Sequence, residues 1–260
     1  MPPPISSLTA PERPPLTPQA EDYLKALYHL GQSGTVNTQH LADERGVSSA
    51  STTAMLRKLS EQGLVDHTPY RGAALTPLGE KLALEVLRHH RLLELFLTRT
   101  LGYSWDEVHA EADRLEHVIS EQMEARIAQL LGDPNYDPHG HPIPRLDGTM
   151  PEVGGRPLTE FTPDSRVVLC RVQGENTEFL RYLTAQGLAP GSDLHLTGID
   201  PLGGTLSLSV GGQTRVLGLE TARRLWAESA PTDQQAAEPS ARDTVAARRS
   251  IKIKDEPRDR

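Results

Sequence analysis

One stretch of the chain carries histidine and acidic residues at a spacing typical of metal-ion ligands. If residues 105–131 form a single helix with about 100° per residue, two histidines and two carboxylates share an arc of roughly 100°. These residues are His109, Asp113, Glu116 and His117. The preceding apolar-striped segment carries His90 and Glu94, which share one helical face because they are four residues apart. Antiparallel packing would bring the two groups together, and such a cluster is costly to bury unless a cation neutralises it.

The donor types in this cluster restrict the metal. All are carboxylate oxygens or imidazole nitrogens, and the single cysteine, Cys170, excludes both a cysteine-built zinc site and a disulfide scaffold. Oxygen and imidazole ligands favour octahedral Mn²⁺ or Fe²⁺, although Zn²⁺, Co²⁺ and Ni²⁺ bind such ligands as well. The competing interpretation is a solvated polar helix face with ordinary surface histidines.

Upstream of this cluster, the order of elements is that of a winged helix-turn-helix. Residues 37–46 predict a short helix with an asparagine cap and a terminal glycine, and residues 49–63 predict a second helix. Two strand-like runs flanking residues 69–72 predict a β-hairpin, the wing. The second helix of such a motif lies in the major groove of DNA. A module of the same shape that binds only protein is the alternative.

Small polar and basic side chains lie where this motif would contact DNA. Hydroxyl groups at the start of the second helix can approach base edges, and cations one turn later can reach phosphates. The candidate DNA-binding residues are Ser48, Ser49, Ser51, Thr52, Arg57, Lys58, Tyr70 and Arg71, the last two at the tip of the wing. The net charge of −8 argues against simple nonspecific binding of nucleic acid, so contact must come from this local surface.

The rest of the sequence divides into small domains and tails. We predict a disordered arm over 1–18, the winged helix-turn-helix over 19–76, a helical metal-binding and dimerisation domain over 77–135, a Pro/Gly-rich linker over 136–157, a mainly β domain over 158–227 and a disordered tail over 228–260. Apolar stripes in the helical domain predict two long helices, over 77–100 and 105–131, and suggest a dimer interface. The predicted fold class is mainly α with a small, partly open β-barrel.

Neither membrane insertion nor secretion is predicted. No apolar run approaches the roughly 20 residues needed to span a bilayer. The Met-Pro-Pro-Pro start is followed by no apolar signal core. We therefore expect a cytoplasmic protein without a membrane partner.

Five segments together resemble one family, the diphtheria-toxin-repressor family of iron- and manganese-dependent transcriptional regulators. They are residues 21–24, 70–79, 88–94, 108–117 and 140–144, and the resemblance spans about Thr17 to Trp226. It implies an N-terminal winged helix-turn-helix, a helical dimerisation domain and a C-terminal SH3-like domain. It also implies a homodimer that binds a double-stranded DNA operator, without enzymatic activity, and that represses metal-uptake genes.

The resemblance also implies two metal sites per subunit. Carried over by position, the primary ligands are Asp22, Asp113, Glu116 and His117. The ancillary ligands are His90, Glu94 and His109, completed from the C-terminal domain by Gln173 and Glu175. The iron-responsive members have Met and Cys where this chain has aspartates, so it looks closer to the manganese-responsive members, with Mn(II) or Fe(II) as cofactor. Lys25 stands where manganese sensors with a two-metal cluster carry Glu, and a cation there disfavours that layout.

Two other functional classes remain open from the residues alone. Paired helices with carboxylates and histidines also build di-metal enzymes, but those repeat a Glu-x-x-His motif that this chain lacks. A winged-helix regulator that answers another ligand, with metal only structural, is the second alternative. The metal dependence of operator affinity discriminates between all three.

Overall fold

The winged helix-turn-helix predicted from the sequence is present in a computed structural model, which describes residues 16–68, 71–174 and 176–230. It comprises α1 (Pro18–Leu30), α2 (Thr38–Arg45), α3 (Ser49–Glu61) and an antiparallel hairpin of β1 (Val65–Thr68) and β2 (Gly72–Leu75). Tyr70, residues 1–15 of the predicted arm and the predicted tail from residue 231 lie outside the described residues. Helix α1 begins at Pro18, inside the predicted arm, because Thr17 caps it and proline is tolerated in a first helical turn.

Local signals fix the geometry of the helix-turn-helix. The side chain of Asn37 accepts a hydrogen bond from the backbone of Gln39 at the start of α2, and Ser48 caps α3 in the same way. Gly46 closes α2 with a φ of 62°, a left-handed conformation that favours glycine. The turn therefore holds α3 at a defined angle to α2.

The helical domain differs from the prediction in one respect. Helix α4 (Pro77–Leu101) matches the first predicted long helix, but the second is broken into α5 (Val108–Leu115) and α6 (Glu121–Leu131). Ser120 starts α6 by accepting a hydrogen bond from the backbone of Met123, so the chain turns over residues 116–120. The apolar stripe continues on both sides of this turn, and periodicity alone could not reveal it.

The C-terminal domain is a six-stranded antiparallel sheet with two helices. Its elements are β3 (Arg156–Pro157), β4 (Arg166–Val172), α7 (Thr177–Gln186), β5 (Asp193–Asp200), β6 (Thr205–Val210), β7 (Gln213–Gly218), α8 (Leu219–Arg223) and β8 (Leu225–Ser229), in the order β3-β8-β4-β5-β6-β7. The sheet extends slightly beyond the predicted domain at both ends, because β3 and β8 pair with each other. Its core is mainly leucine and valine.

Direct contacts join this domain to the helical domain. The Trp105 indole donates to Thr184 Oγ1 at 2.8 Å, and the Val172 backbone donates to the His139 carbonyl at 3.0 Å. Gly140 lies so close to β4 that an added Cβ would be 2.0 Å from the Cys170 carbonyl oxygen. Segment 137–141 is thereby held between the two domains. Among the described residues, no helix is long and apolar enough to cross a membrane.

Candidate metal centre and DNA-binding surface

The first group of candidate ligands, here named the α1 cluster, consists of Asp22, Glu116 and His117. His117 Nε2 lies 3.2 Å from Asp22 Oδ1 and 3.4 Å from Glu116 Oε1. Its other ring nitrogen, Nδ1, lies 2.6 Å from a carboxylate oxygen of Glu21. Hydrogen bonds to Asp22 and Glu21 raise the pKa of His117 to about 9. The cluster thus joins α1 to the turn after α5 and offers two carboxylates and an imidazole as ligands for a cation.

The second group, the α4 cluster, consists of His90, Glu94 and His109. His90 Nε2 lies 3.0 Å from both Glu94 Oε1 and His109 Nδ1. Burial alone would lower the pKa of His90, but the carboxylates of Glu94 and Glu116 overcome it and raise that pKa to about 9. His90 Nδ1 also lies 2.5 Å from Glu116 Oε2, so Glu116 connects the two clusters.

Asp113 groups with the α4 cluster rather than with Asp22, which differs from the assignment implied by the resemblance. Its carboxylate oxygens lie 3.3 Å from His90 Nδ1 and 3.6 Å from His109 Nε2. The reason is helical spacing, because Asp113 follows His109 by four residues on α5. The helix then ends, and the turn directs Glu116 and His117 towards α1.

A lysine ammonium group lies between the clusters. Lys25 Nζ is 2.6 Å from Glu116 Oε1 and 3.1 Å from Asp113 Oδ1, and the lysine side chain is only 14% exposed. Burial would lower the pKa of Lys25, but Glu116 and Asp113 raise it above its ordinary value. The chain therefore carries its own cation beside the candidate ligands.

Sequence reasoning missed three residues of segment 137–141: Asp137, His139 and His141. His139 Nδ1 lies 3.5 Å from Glu94 Oε2, and both atoms are buried without a hydrogen-bond partner among the residues that the structure describes. Burial would lower the pKa of His139, yet Glu94 raises it to about 9. Orphaned nitrogen and oxygen donors facing one another fit a bound cation. The Asp-x-His-x-His spacing was the available signal.

Of the two ligands expected from the C-terminal domain, the structure describes only Gln173. Gln173 is exposed, and its backbone amide and carbonyl form hydrogen bonds with Arg224. Glu175 lies outside the described residues. The domain instead approaches the α4 cluster through the contact between Val172 and His139.

The candidate DNA surface on α3 and the wing is largely exposed. Ser48, Ser51, Arg57, Lys58 and Arg71 are solvent-exposed, and Ser49 is half-buried. The prediction that Thr52 contacts DNA is wrong, because Thr52 is fully buried and its hydroxyl lies 3.2 Å from the Tyr23 hydroxyl of α1. Thr52 therefore faces the core of the domain, on the same side as Leu56 and Leu59, and cannot reach a base.

Apolar side chains of α6 and the preceding turn are exposed in the single chain. Val118 is 73%, Met123 45% and Leu130 65% exposed. Exposed apolar side chains of this kind are typical of a surface that another protein covers.

Family models match three consecutive parts of the chain. The model described as "Iron dependent repressor, N-terminal DNA binding domain" matches residues 15–73. "Iron dependent repressor, metal binding and dimerisation domain" matches residues 76–145, and "FeoA domain" matches residues 156–229. The three matches agree with the domain order in the structure.

Relatives and solved structures give the same result. The chain is 33% identical over 192 residues to "Diphtheria toxin repressor" of Corynebacterium glutamicum, covering 70% of this chain and 84% of the relative. It is 33% identical over 189 residues to "Iron-dependent repressor IdeR" of Mycobacterium tuberculosis, covering 67% and 82%. A structure titled "Manganese-dependent transcriptional repressor complex with manganese" has a TM-score of 0.73 and 38% identity, covering 81% of this chain and all of that chain. "Crystal Structure of ScaR with bound Cd2+" has a TM-score of 0.69 and 36% identity, covering 81% and 99%.

Proposed function

Because the chain belongs to the diphtheria-toxin-repressor family of metal-dependent, DNA-binding transcriptional repressors, we propose that it is a manganese-responsive member. Its family is one of homodimeric regulators, not enzymes. We propose Mn(II) as the effector, with Fe(II) as the second candidate, and metal-uptake genes as the targets. It would act in the cytoplasm, where chromosomal DNA is.

The donor atoms support this choice of metal. Asp22 and Asp113 supply oxygen ligands, whereas sulfur ligands at these positions would favour softer metal ions. The other ligands assigned here are carboxylates or imidazoles. We assign Asp22, Glu116 and His117 to one site. The other comprises His90, Glu94 and His109 with Asp113 and His139. A bound divalent cation would supply the positive charge that lets these carboxylates remain close together.

One observation carries the regulatory mechanism: neighbouring residues of α1 face the α1 cluster and the recognition helix. Asp22 lies 3.2 Å from His117, and Tyr23 contacts buried Thr52 of α3. Whatever holds Asp22 against His117 therefore also positions α3. Arg45 at the end of α2 lies 2.7 Å from Asp22 and links the same carboxylate to the helix-turn-helix. Metal binding and operator binding are coupled through α1.

Tyr23→Phe tests this connection. Loss of the hydroxyl leaves Thr52 without its buried partner, which costs about 1 kcal/mol of folding stability. We expect unchanged Mn²⁺ affinity and a smaller increase of operator affinity on adding Mn²⁺, measured by fluorescence anisotropy. An unchanged increase would show that α1 does not transmit the signal through this contact.

The exposed start of α3 should set operator affinity without affecting the metal. Ser51→Trp places a bulky ring where a hydroxyl faces solvent. We expect operator binding to weaken by about 1–3 kcal/mol, the range of a good base contact. Mn²⁺ affinity should not change in a titration without DNA. If this variant binds the operator as tightly as the wild type does, α3 does not lie in the major groove.

The exposed face of α6 is our candidate for the dimer interface. Leu130→Asp introduces a charge into an apolar surface that a partner would bury, at a cost of several kcal/mol. We expect sedimentation to give a monomer and the operator affinity to collapse, because one subunit reaches only one half-site. A dimeric variant would place the interface elsewhere.

The function itself is tested by anisotropy on promoter fragments of metal-transport genes at fixed salt. Mn²⁺, anaerobic Fe²⁺ and Zn²⁺ are titrated against a chelated control. We expect tight operator binding only when metal is present. Mn²⁺ should produce this binding at a lower free concentration than Fe²⁺ or Zn²⁺. Equal operator binding with and without metal would show that the protein binds DNA but that its metal is only structural.

A further inference from the structure

A third group of histidine and carboxylate side chains lies between α4 and α6, apart from both clusters described above. Single ligand atoms of Glu85, His89 and Glu121 all lie within 4.8 Å of one another. Glu124 joins them, with its Oε2 atom 3.3 Å from His89 Nε2. We name these four residues the α4–α6 group.

His89 is oriented as a metal-ligating imidazole is. Its Nδ1 lies 3.2 Å from the backbone carbonyl oxygen of Glu116, and since a carbonyl only accepts, Nδ1 must carry the proton. In the neutral ring, Nε2 then presents a lone pair to the carboxylates. This atom is buried, the residue is only 3% exposed, and within the described part of the chain it has no hydrogen-bond partner. A hydrogen bond from the second ring nitrogen to a carbonyl is the usual support of such ligands.

The carboxylates around the His89 ring differ in exposure. Glu85 and Glu124 are buried at 3% and 2% exposure, whereas the Glu121 side chain is 60% exposed. The Arg88 guanidinium engages Glu124 through Oε1 at 2.5 Å, which leaves Oε2 turned towards His89. The group thus places two buried carboxylates close to the His89 ring, and carboxylate oxygens together with an imidazole are ligands that divalent cations accept. Glu121 places one edge of the group at the protein surface.

We propose that Glu85, His89, Glu121 and Glu124 form a third divalent-cation site, distinct from the two sites of the proposed switch. Oxygen donors with one imidazole suit a first-row ion such as Mn²⁺. The site ties α6, with its exposed apolar face, to α4. Through His89 it also fixes the backbone carbonyl of Glu116, whose carboxylate belongs to the α1 cluster. Occupancy would therefore stiffen the turn that carries Glu116 and His117.

Counting bound Mn²⁺ in the full-length protein by electron paramagnetic resonance tests the site. Glu121→Gln is the variant, since this exposed residue can be changed without disturbing the core. We expect one class of Mn²⁺ sites to weaken about tenfold or more, with one ion fewer per chain at intermediate concentration. Glu178→Gln, an exposed glutamate of α7, is the matched control and should keep the wild-type count. An identical titration for Glu121→Gln and wild type would overturn the proposal.

Anomalous scattering from crystals of the full chain grown with Mn²⁺ gives an independent result. We expect a peak within bonding distance of His89 Nε2, in addition to peaks at the α1 and α4 clusters. Peaks at those clusters with none beside His89 would overturn the third site and leave the proposed function intact. In that case the role of His89 would be to neutralise the negative charge of the neighbouring carboxylates with its protonated ring.

Discussion

His117→Ala is expected to abolish the response of operator binding to Mn²⁺. His117 is the residue at which Asp22 of α1 and Glu116 of the following turn meet, at 3.2 and 3.4 Å. Without the imidazole, no nitrogen ligand remains in the α1 cluster, and the first helix is no longer held by metal. Operator affinity at saturating Mn²⁺ should fall to that of the metal-free protein, a loss of about 5- to 150-fold, the usual range of allosteric coupling.

The control for this variant is His195→Ala, which removes a half-exposed imidazole of β5 that belongs to neither cluster. Both variants should remain folded dimers by circular dichroism and sedimentation. Anisotropy with and without Mn²⁺ then gives the coupling directly. A His117→Ala protein that still responds fully to Mn²⁺ would show that the α1 cluster is not the regulatory site.

Lys25→Gln is expected to tighten Mn²⁺ binding. The lysine ammonium lies 2.6 Å from Glu116 and 3.1 Å from Asp113, so it neutralises in advance the carboxylates that a metal would engage. Removing it takes the ammonium partner from buried Glu116 and half-exposed Asp113 and should destabilise the metal-free chain by about 3 kcal/mol. Metal recovers part of this energy, so we expect about a tenfold gain in Mn²⁺ affinity, equivalent to 1.4 kcal/mol.

A calorimetric titration of Mn²⁺ measures the effect, and Lys25→Arg is the matched control because it retains the charge. The arginine variant should bind Mn²⁺ as the wild type does. The thermal midpoint of Lys25→Gln should be lower than that of the wild type without metal and approach it at saturating Mn²⁺. Weaker Mn²⁺ binding by Lys25→Gln would mean that the lysine orders the ligands rather than competing with the ion.

The winged helix-turn-helix was predictable because its signals are local. Asn37, Gly46 and Ser48 each act within a few residues of their own position, and the structure contains the caps and the turn that they indicate. The candidate ligands His90, Glu94 and His109 were also predictable as a group, since helical spacing brings the first two to one face of α4 and packing of the next helix against it adds His109. Structure places their ring and carboxylate atoms within 3.2 Å of one another.

Other features depend on tertiary contacts that no periodicity reveals. The break before α6 separates His117 from the face that carries His109, although the apolar stripe runs on without interruption. His139 lies beside Glu94 in a segment whose Gly140 packs closely against β4. Both features are long-range constraints on locally ambiguous residues. Thr52 is different, because it precedes Leu56 by four residues on the buried face of α3, and helical spacing could have shown that it points inwards.

We expect the metal sites and the operator surface to share one conformational equilibrium through α1. Thermodynamic linkage makes it directly measurable, because two coupled ligands must change each other's affinity by the same factor. The measurement is the dissociation constant of Mn²⁺ with and without saturating operator DNA. We predict that DNA tightens Mn²⁺ binding about 5- to 150-fold, matching the factor by which Mn²⁺ tightens operator binding. An identical Mn²⁺ dissociation constant in both conditions would contradict the account.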